Sequence, residues 1–108
     1  RGLTILGGEP FEPENQESLI HLCNRVRNEL PDKDIWCFSG FTYEEITGNS
    51  RANTKNTKEL LSLIDVLVDG RFVEDKKDIS LKFRGSSNQR IINIKKTMAE
   101  GKVVLWEE

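Results

Sequence analysis

Three short apolar runs alternate along this chain with segments of helical periodicity, and that alternation constrains the fold more than any other feature. Residues 2–6, Asp34 to Ser39 (DIWCFS) and Asp65 to Val68 read as strands. Between the first two, Leu19, Cys23, Val26 and Leu30 recur at helical spacing across residues 15–30, and Pro31 ends the pattern. Thr42 and Glu45 have the spacing of a capping box that opens a short second helix, with Phe41 and Ile46 placed as a hydrophobic staple around it. Gly48 is expected to close that helix in the left-handed conformation. Asn49 to Asn56 reads as a polar loop, and Leu60, Leu61 and Ile64 mark a third helix. Val66, Leu67 and Val68 are continuous, as in a parallel strand covered on both faces.

Strand, helix, strand in succession implies crossover connections and therefore a mostly parallel α/β sheet. After Gly70 the pattern is irregular through Lys82. A strand at Arg90 to Ile94, a helical turn near Thr97 to Glu100, Gly101 and a last strand from Val103 to Trp106 follow. At 108 residues the chain fits one domain, 1–108, burying roughly two-thirds of the surface its unfolded form exposes.

Charge narrows the function. The net charge of −2, with basic and acidic residues interspersed, offers no field for nucleic acid. No apolar stretch approaches the ~20 residues that span a bilayer, so no membrane partner is expected. Cys23 and Cys37 sit inside separate apolar patterns, which suits buried fillers in a reducing compartment, and the cytoplasm is the expected location. His21 lies away from the Leu19 and Val26 stripe and is expected in solvent, and Trp36 and Trp106 are expected in the core. Lys82, Arg84, Arg90, Lys95 and Lys96 read as a solvated basic face, and Glu14, Glu17 and Glu29 as the exposed side of the first helix.

In parallel α/β folds the site lies at the carboxyl ends of the strands. Here those ends carry Gly7-Gly8-Glu9-Pro10, then Ser39-Gly40, then Asp69-Gly70-Arg71. Each pairs a glycine, which allows close backbone approach, with a polar group. Glu9 and Asp69 would supply anionic acceptors, so the ligand should carry a positive group.

The segments LTILGGEPF, DIWCFSGFTYEEI, DVLVDGRFVED and FRGSSNQRIINIKK, in that order, resemble the activating enzymes of anaerobic ribonucleotide reductase, a family of radical S-adenosylmethionine proteins. The resemblance implies a partial (β/α) barrel in which a 4Fe-4S cluster reduces S-adenosylmethionine and a glycyl radical is generated on the reductase catalytic subunit, the implied partner. It also implies that Gly7, Gly8 and Glu9, with Pro10, contact the ammonium group of the methionyl moiety, that Asp69 and Arg71 face the cofactor, and that Ser39 occupies the middle strand end. Ser86, Ser87 and Asn88 belong to the family's characteristic segment, which implies no role for them beyond potential contact with cofactor or glycyl-radical partner.

The family's C-x3-C-x2-C cluster loop has no counterpart among the two cysteines of this chain. Neither cysteine is therefore expected to bind metal, and no catalytic residue is expected here. The chain is expected to be the carboxyl-terminal portion of a longer enzyme, cut at Arg1, inactive alone and prone to self-association through the exposed edge of its first strand. An activase of another glycyl-radical enzyme, such as pyruvate formate-lyase, and a non-catalytic interaction module are the alternatives.

Overall fold

The computed structural model describes residues 3–5, 8–71, 73–77, 80, 84, 86 and 88–107. The elements run β1 (Leu3–Ile5), α1 (Pro13–Glu29), β2 (Ile35–Phe38), α2 (Tyr43–Thr47), α3 (Thr57–Leu63), β3 (Val66–Asp69), β4 (Arg90–Asn93) and α4 (Ile94–Glu100). The sheet order is β1-β2-β3-β4. β1, β2 and β3 are parallel, in register at Thr4 with Trp36 and Trp36 with Val66.

β4 departs from the expected mostly parallel sheet. It runs antiparallel to β3, pairing Val68 with Ile91 and Asp69 with Arg90, so the sheet is mixed. The connection explains the reversal. A parallel partner requires a crossover, usually a helix. Between β3 and β4 the described residues form only a 3-10 turn, Glu74–Lys76, and a bridge between Lys77 and Ser86.

α1 begins two residues before the expected start because Pro13 tolerates the first helical turn, where its missing N–H has no intrahelical partner. Its buried side is Gln16, Ile20 and Cys23, whereas Leu30 has left the stripe at 52% exposure. His21, Glu14, Glu17 and Glu29 are exposed. In α2 the Thr42–Glu45 capping box is present in both directions, and Phe41 and Ile46 are buried on either side of it. Gly48 is not left-handed, with φ −112°. Space selects glycine there, since a Cβ would stand 2.6 Å from the Glu44 carbonyl oxygen. Gly101, at φ 73°, is the left-handed cap, closing α4.

Ile94 belongs to α4 rather than to the strand, because the Asn93 side chain accepts the Lys96 amide and starts the helix. The expected last strand is reduced to a bridge between Leu105 and Ile92, supported by Asn93 N–H to Val104 O and Trp106 N–H to Ile91 O.

The period-two pleat sorts the core onto two faces. Ile5, Ile35, Cys37, Leu67 and Ile92 join Ile20, Cys23, Leu60, Leu61, Ile64 and Ile94 in the main core beneath the helices. Trp36, Val66 and Val68 form a smaller cluster on the other face with Phe38, Ile91 and Trp106. Trp106 meets Trp36 edge-on at 4.9 Å, a geometry worth about 0.5–1.5 kcal/mol beyond area burial. The Gln16 side chain, fully buried, donates to Phe11 O and Ala52 O and accepts from Thr54 and Thr57, tying the 49–56 loop to α1.

Candidate functional site

The site forms where β1 and β2 end. Glu9 Oε2 accepts from the Phe11 amide at 3.0 Å and from Ser39 Oγ at 2.7 Å, while Oε1 accepts from the Gly40 amide at 2.7 Å. The backbone around this carboxylate is held as well. Glu9 O accepts from Asn15 Nδ2 at 2.8 Å, and Ser39 Oγ accepts in turn from the Phe41 amide at 3.0 Å. A carboxylate offers about four lone-pair positions, so the three donors named leave room for one more on Oε1.

The surface beside that oxygen is a cleft of about 170 Å³ lined by Glu9, Glu12, Gly40, Phe41, Arg51 and Arg71. Arg51 reaches it from the polar loop, grips Glu12 through Nε and Nη2 at 2.8 and 2.6 Å, and lies 4.9 Å over the Phe41 ring. The Arg71 Nη1 stands 3.7 Å from Glu45 Oε1 with most of the side chain in solvent. Gly40 gives Glu9 room. A Cβ there would lie 3.3 Å from Glu9 Oε1 and 3.8 Å from Arg71 Cγ. A second hollow, of about 270 Å³, opens on the other side of Glu9 along Gly8, Pro10, Asn15 and Ser18.

Of the residues expected at a ligand rim, Glu9 and Ser39 are joined directly, Arg71 lines the cleft beside Glu9, and Gly8 and Pro10 border the second hollow. Gly7 and Ser87 lie outside the described residues. Asp69 goes elsewhere. It is 1% exposed, accepts the Tyr43 amide at 2.7 Å through Oδ2, and takes Arg90 Nε and Nη2 at 3.1 and 2.5 Å. Arg90 also pairs with Glu44 at 2.6 Å, and this contact pulls the Glu44 carboxyl below its ordinary range. Far from a solvated basic residue, Arg90 is clamped between two carboxylates.

Ser86 and Asn88 brace the exit of β3. Ser86 is buried and donates to Asn88 Oδ1 at 2.6 Å, Asn88 Nδ2 donates to Arg71 O at 2.8 Å, and Gln89 Nε2 donates to Gly70 O at 2.9 Å. Gly70 itself has φ 96°, which glycine alone adopts readily. Gly40 was among the expected strand-end residues, whereas Arg90, Glu44, Glu12 and Arg51 are the members that spacing did not reveal. Only the capping box, which places Glu44 and Glu45 at the head of α2, pointed toward any of them.

The cysteines do not fit a metal. Cys23 and Cys37 are both fully buried, and burial pushes both thiols up, Cys37 furthest, with Glu9 adding to its shift. Ligation needs the thiolate, which this surrounding disfavours. Among the described residues no group of three His, Cys, Asp or Glu could hold a metal ion. Nor is any helix among them long and apolar enough to cross a membrane.

Comparison with known proteins places the chain in a family. The 4Fe-4S single cluster domain family matches residues 1–92. The anaerobic ribonucleoside-triphosphate reductase-activating protein of Vibrio cholerae is 44% identical over 91 residues, covering 84% of this chain and 54% of that protein. Its namesake in Haemophilus influenzae is 43% identical over 95 residues, covering 88% and 57%. The one in phage T4 is 35% identical over 91 residues, covering 84% and 52%. The chain thus spans about half the length of the curated relatives it matches. No solved structure matches it. The chain belongs to the 4Fe-4S single cluster domain family, and its curated homologues are anaerobic ribonucleoside-triphosphate reductase-activating proteins.

Proposed function

We propose that this chain is the S-adenosylmethionine-holding portion of an enzyme that activates anaerobic ribonucleotide reductase. The observation that carries the reading is the Glu9 carboxylate, oriented by Phe11, Ser39 and Gly40 with acceptor capacity left beside a cleft flanked by Arg51 and Arg71. An ammonium group is a compact three-donor cation, and Glu9 fits it. Gly8 suits the same role, since nothing lies within 4 Å of a Cβ built there and the backbone is open to a ligand. Ser39 orients Glu9, and Arg71, which lines the same cleft, supplies positive charge for an anionic group. When bound, S-adenosylmethionine and a 4Fe-4S cluster supply the reductive cleavage that leads to a glycyl radical on the reductase catalytic subunit. The two buried cysteines do not fit the cluster, because ligation needs thiolates and their burial keeps both thiols protonated.

The mixed sheet, helix-covered on one face and carrying the Trp36, Val66 and Val68 cluster on the other, is consistent with part of a (β/α) barrel. Two free, buried cysteines accord with a reducing cytoplasm.

The test is Glu9→Gln in the full-length, iron-loaded protein, with methionine and deoxyadenosine release as the readout. Losing a charge-assisted hydrogen bond costs about 1.5–3 kcal/mol, so cofactor affinity should fall roughly 10- to 150-fold. Unchanged affinity and unchanged cleavage would sink the reading.

A further inference from the structure

We propose that Arg90 is a positioning residue that acts through Asp69 on the Ser39–Tyr43 turn and so sets the Glu9 carboxylate before any ligand arrives. The inference rests on the reading of Glu9 as the cofactor-holding group. Asp69 ends β3 on the helix-facing side, in register with Arg90 of β4. Buried at 1% exposure, its charge needs a counter-ion, and a buried carboxylate left unpaired is strongly destabilising. The Arg90 fork meets both Asp69 oxygens, through Nε to Oδ1 and Nη2 to Oδ2. That contact fixes the plane of the carboxylate, and Oδ2 then accepts the Tyr43 amide at 2.7 Å.

The turn is pinned from the same strand at two further points. Ser39 N–H donates to Val68 O at 3.0 Å, and Gly70 N–H donates to Phe41 O at 3.1 Å. Ser39 and Gly40 are in turn the two donors that reach back to Glu9. Hydrogen bonds at either end of the 39–43 backbone therefore join Arg90 on β4 to Glu9 after β1, across the whole width of the sheet. Glu44 holds the outer side of Arg90 and keeps its fork facing Asp69.

Arg90→Lys keeps a positive charge beside Asp69, so the fold should survive, but a single ammonium cannot reproduce the fork. Hydrogen-deuterium exchange on the full-length protein, followed by mass spectrometry of fragments covering 39–43 and 64–69, reads the effect without cofactor. We expect exchange over 39–43 to quicken about ten-fold with 64–69 unchanged, the scale of one charge-assisted hydrogen bond. The KM for S-adenosylmethionine should rise with kcat little altered. The double variant Asp69→Asn, Arg90→Met, which leaves no buried charge, should quicken the same fragment. Unchanged exchange over 39–43, or an equal increase in both fragments, would overturn the proposal. Because exchange needs no cofactor, it stands or falls separately from the Glu9→Gln result.

Discussion

The amide of Gly40 donates to Glu9 Oε1 at 2.7 Å, joining the end of β2 to the turn after β1 across 31 positions of sequence. Gly40 leaves this contact uncrowded, since a Cβ there would stand 3.3 Å from Oε1. A carboxylate reached by a backbone N–H at this distance is oriented by the fold itself.

Gly40→Ala should therefore weaken the site with little loss of fold. The new Cβ would sit 3.3 Å from Glu9 Oε1, so the carboxylate must shift by a few tenths of an ångström. On the proposed reading of the site, S-adenosylmethionine affinity of the full-length protein should fall about ten-fold, the scale of one charge-assisted hydrogen bond. Titration calorimetry checks the affinity and thermal unfolding checks the fold.

Gly70 and Gly8 should respond in opposite ways to the same change. Gly70 has φ 96°, and an L side chain there costs about 1–2 kcal/mol, so Gly70→Ala should lower Tm by several degrees. Around Gly8 nothing lies within 4 Å of a new Cβ, so Gly8→Ala should leave Tm nearly unchanged while affecting ligand binding. Differential scanning calorimetry of both variants makes the comparison.

Acid stability should carry the signature of Glu44. Its folded pKa lies below the ordinary value of 4.5, first because of the Arg90 hydrogen bond. The unfolded chain therefore takes up this proton at higher pH than the folded one. The contribution is fully present above about 4.5 and lost as pH falls through the folded value. Denaturant midpoints measured from pH 6 to 3 should fall less steeply in Glu44→Gln than in the parent.

The thiols should be silent in the native protein. Cys23 and Cys37 are buried, and burial raises both pKa values above the usual 9.0. Iodoacetamide at pH 8 should label neither until denaturant is added. The sign at alkaline pH follows from the same shift: the folded state keeps protons that the unfolded thiols release, so the contribution is intact below about 9 and is lost as pH climbs toward the folded values. Labelling of either cysteine at native conditions as fast as a free thiol would contradict this burial.

Loss of Gln16 should weaken the polar interior beneath the 49–56 loop. Gln16→Leu takes away the donor to Phe11 O, while Ala52 O keeps Thr57 Oγ1 and the Thr54 and Thr57 hydroxyls keep the Asn56 and Thr54 amides. A buried group left unpaired costs about 1–3 kcal/mol, and a loss on that scale is expected, read from urea midpoints. The 49–56 loop that carries Arg51 to the cleft should loosen with it.

The periodic elements were legible in the residues because their causes are local. The stripe of Ile20 and Cys23 in α1, the Thr42–Glu45 box and the Phe41–Ile46 staple depend on neighbours within a turn or two of chain. Glu9 and Ser39 were legible as strand-end groups, because each stands where an apolar run gives out beside a glycine.

The direction of β4 and the destination of Asp69 were not legible, for different reasons: the first follows from the connection after β3 and the second from the phase of the strand. In Val66-Leu67-Val68 every position is apolar and every position is buried, so no alternation marks which face residue 69 will join. The pleat places Asp69 with Leu67 on the helix side, and the antiparallel register brings Arg90 opposite it. By itself the sequence determined the elements, their caps and the polar groups at the strand ends, all products of short-range chemistry. Only the tertiary structure decided that Glu9 faces a cleft while Asp69 is buried against Arg90, because strand phase and strand direction are set by packing between segments far apart in the chain.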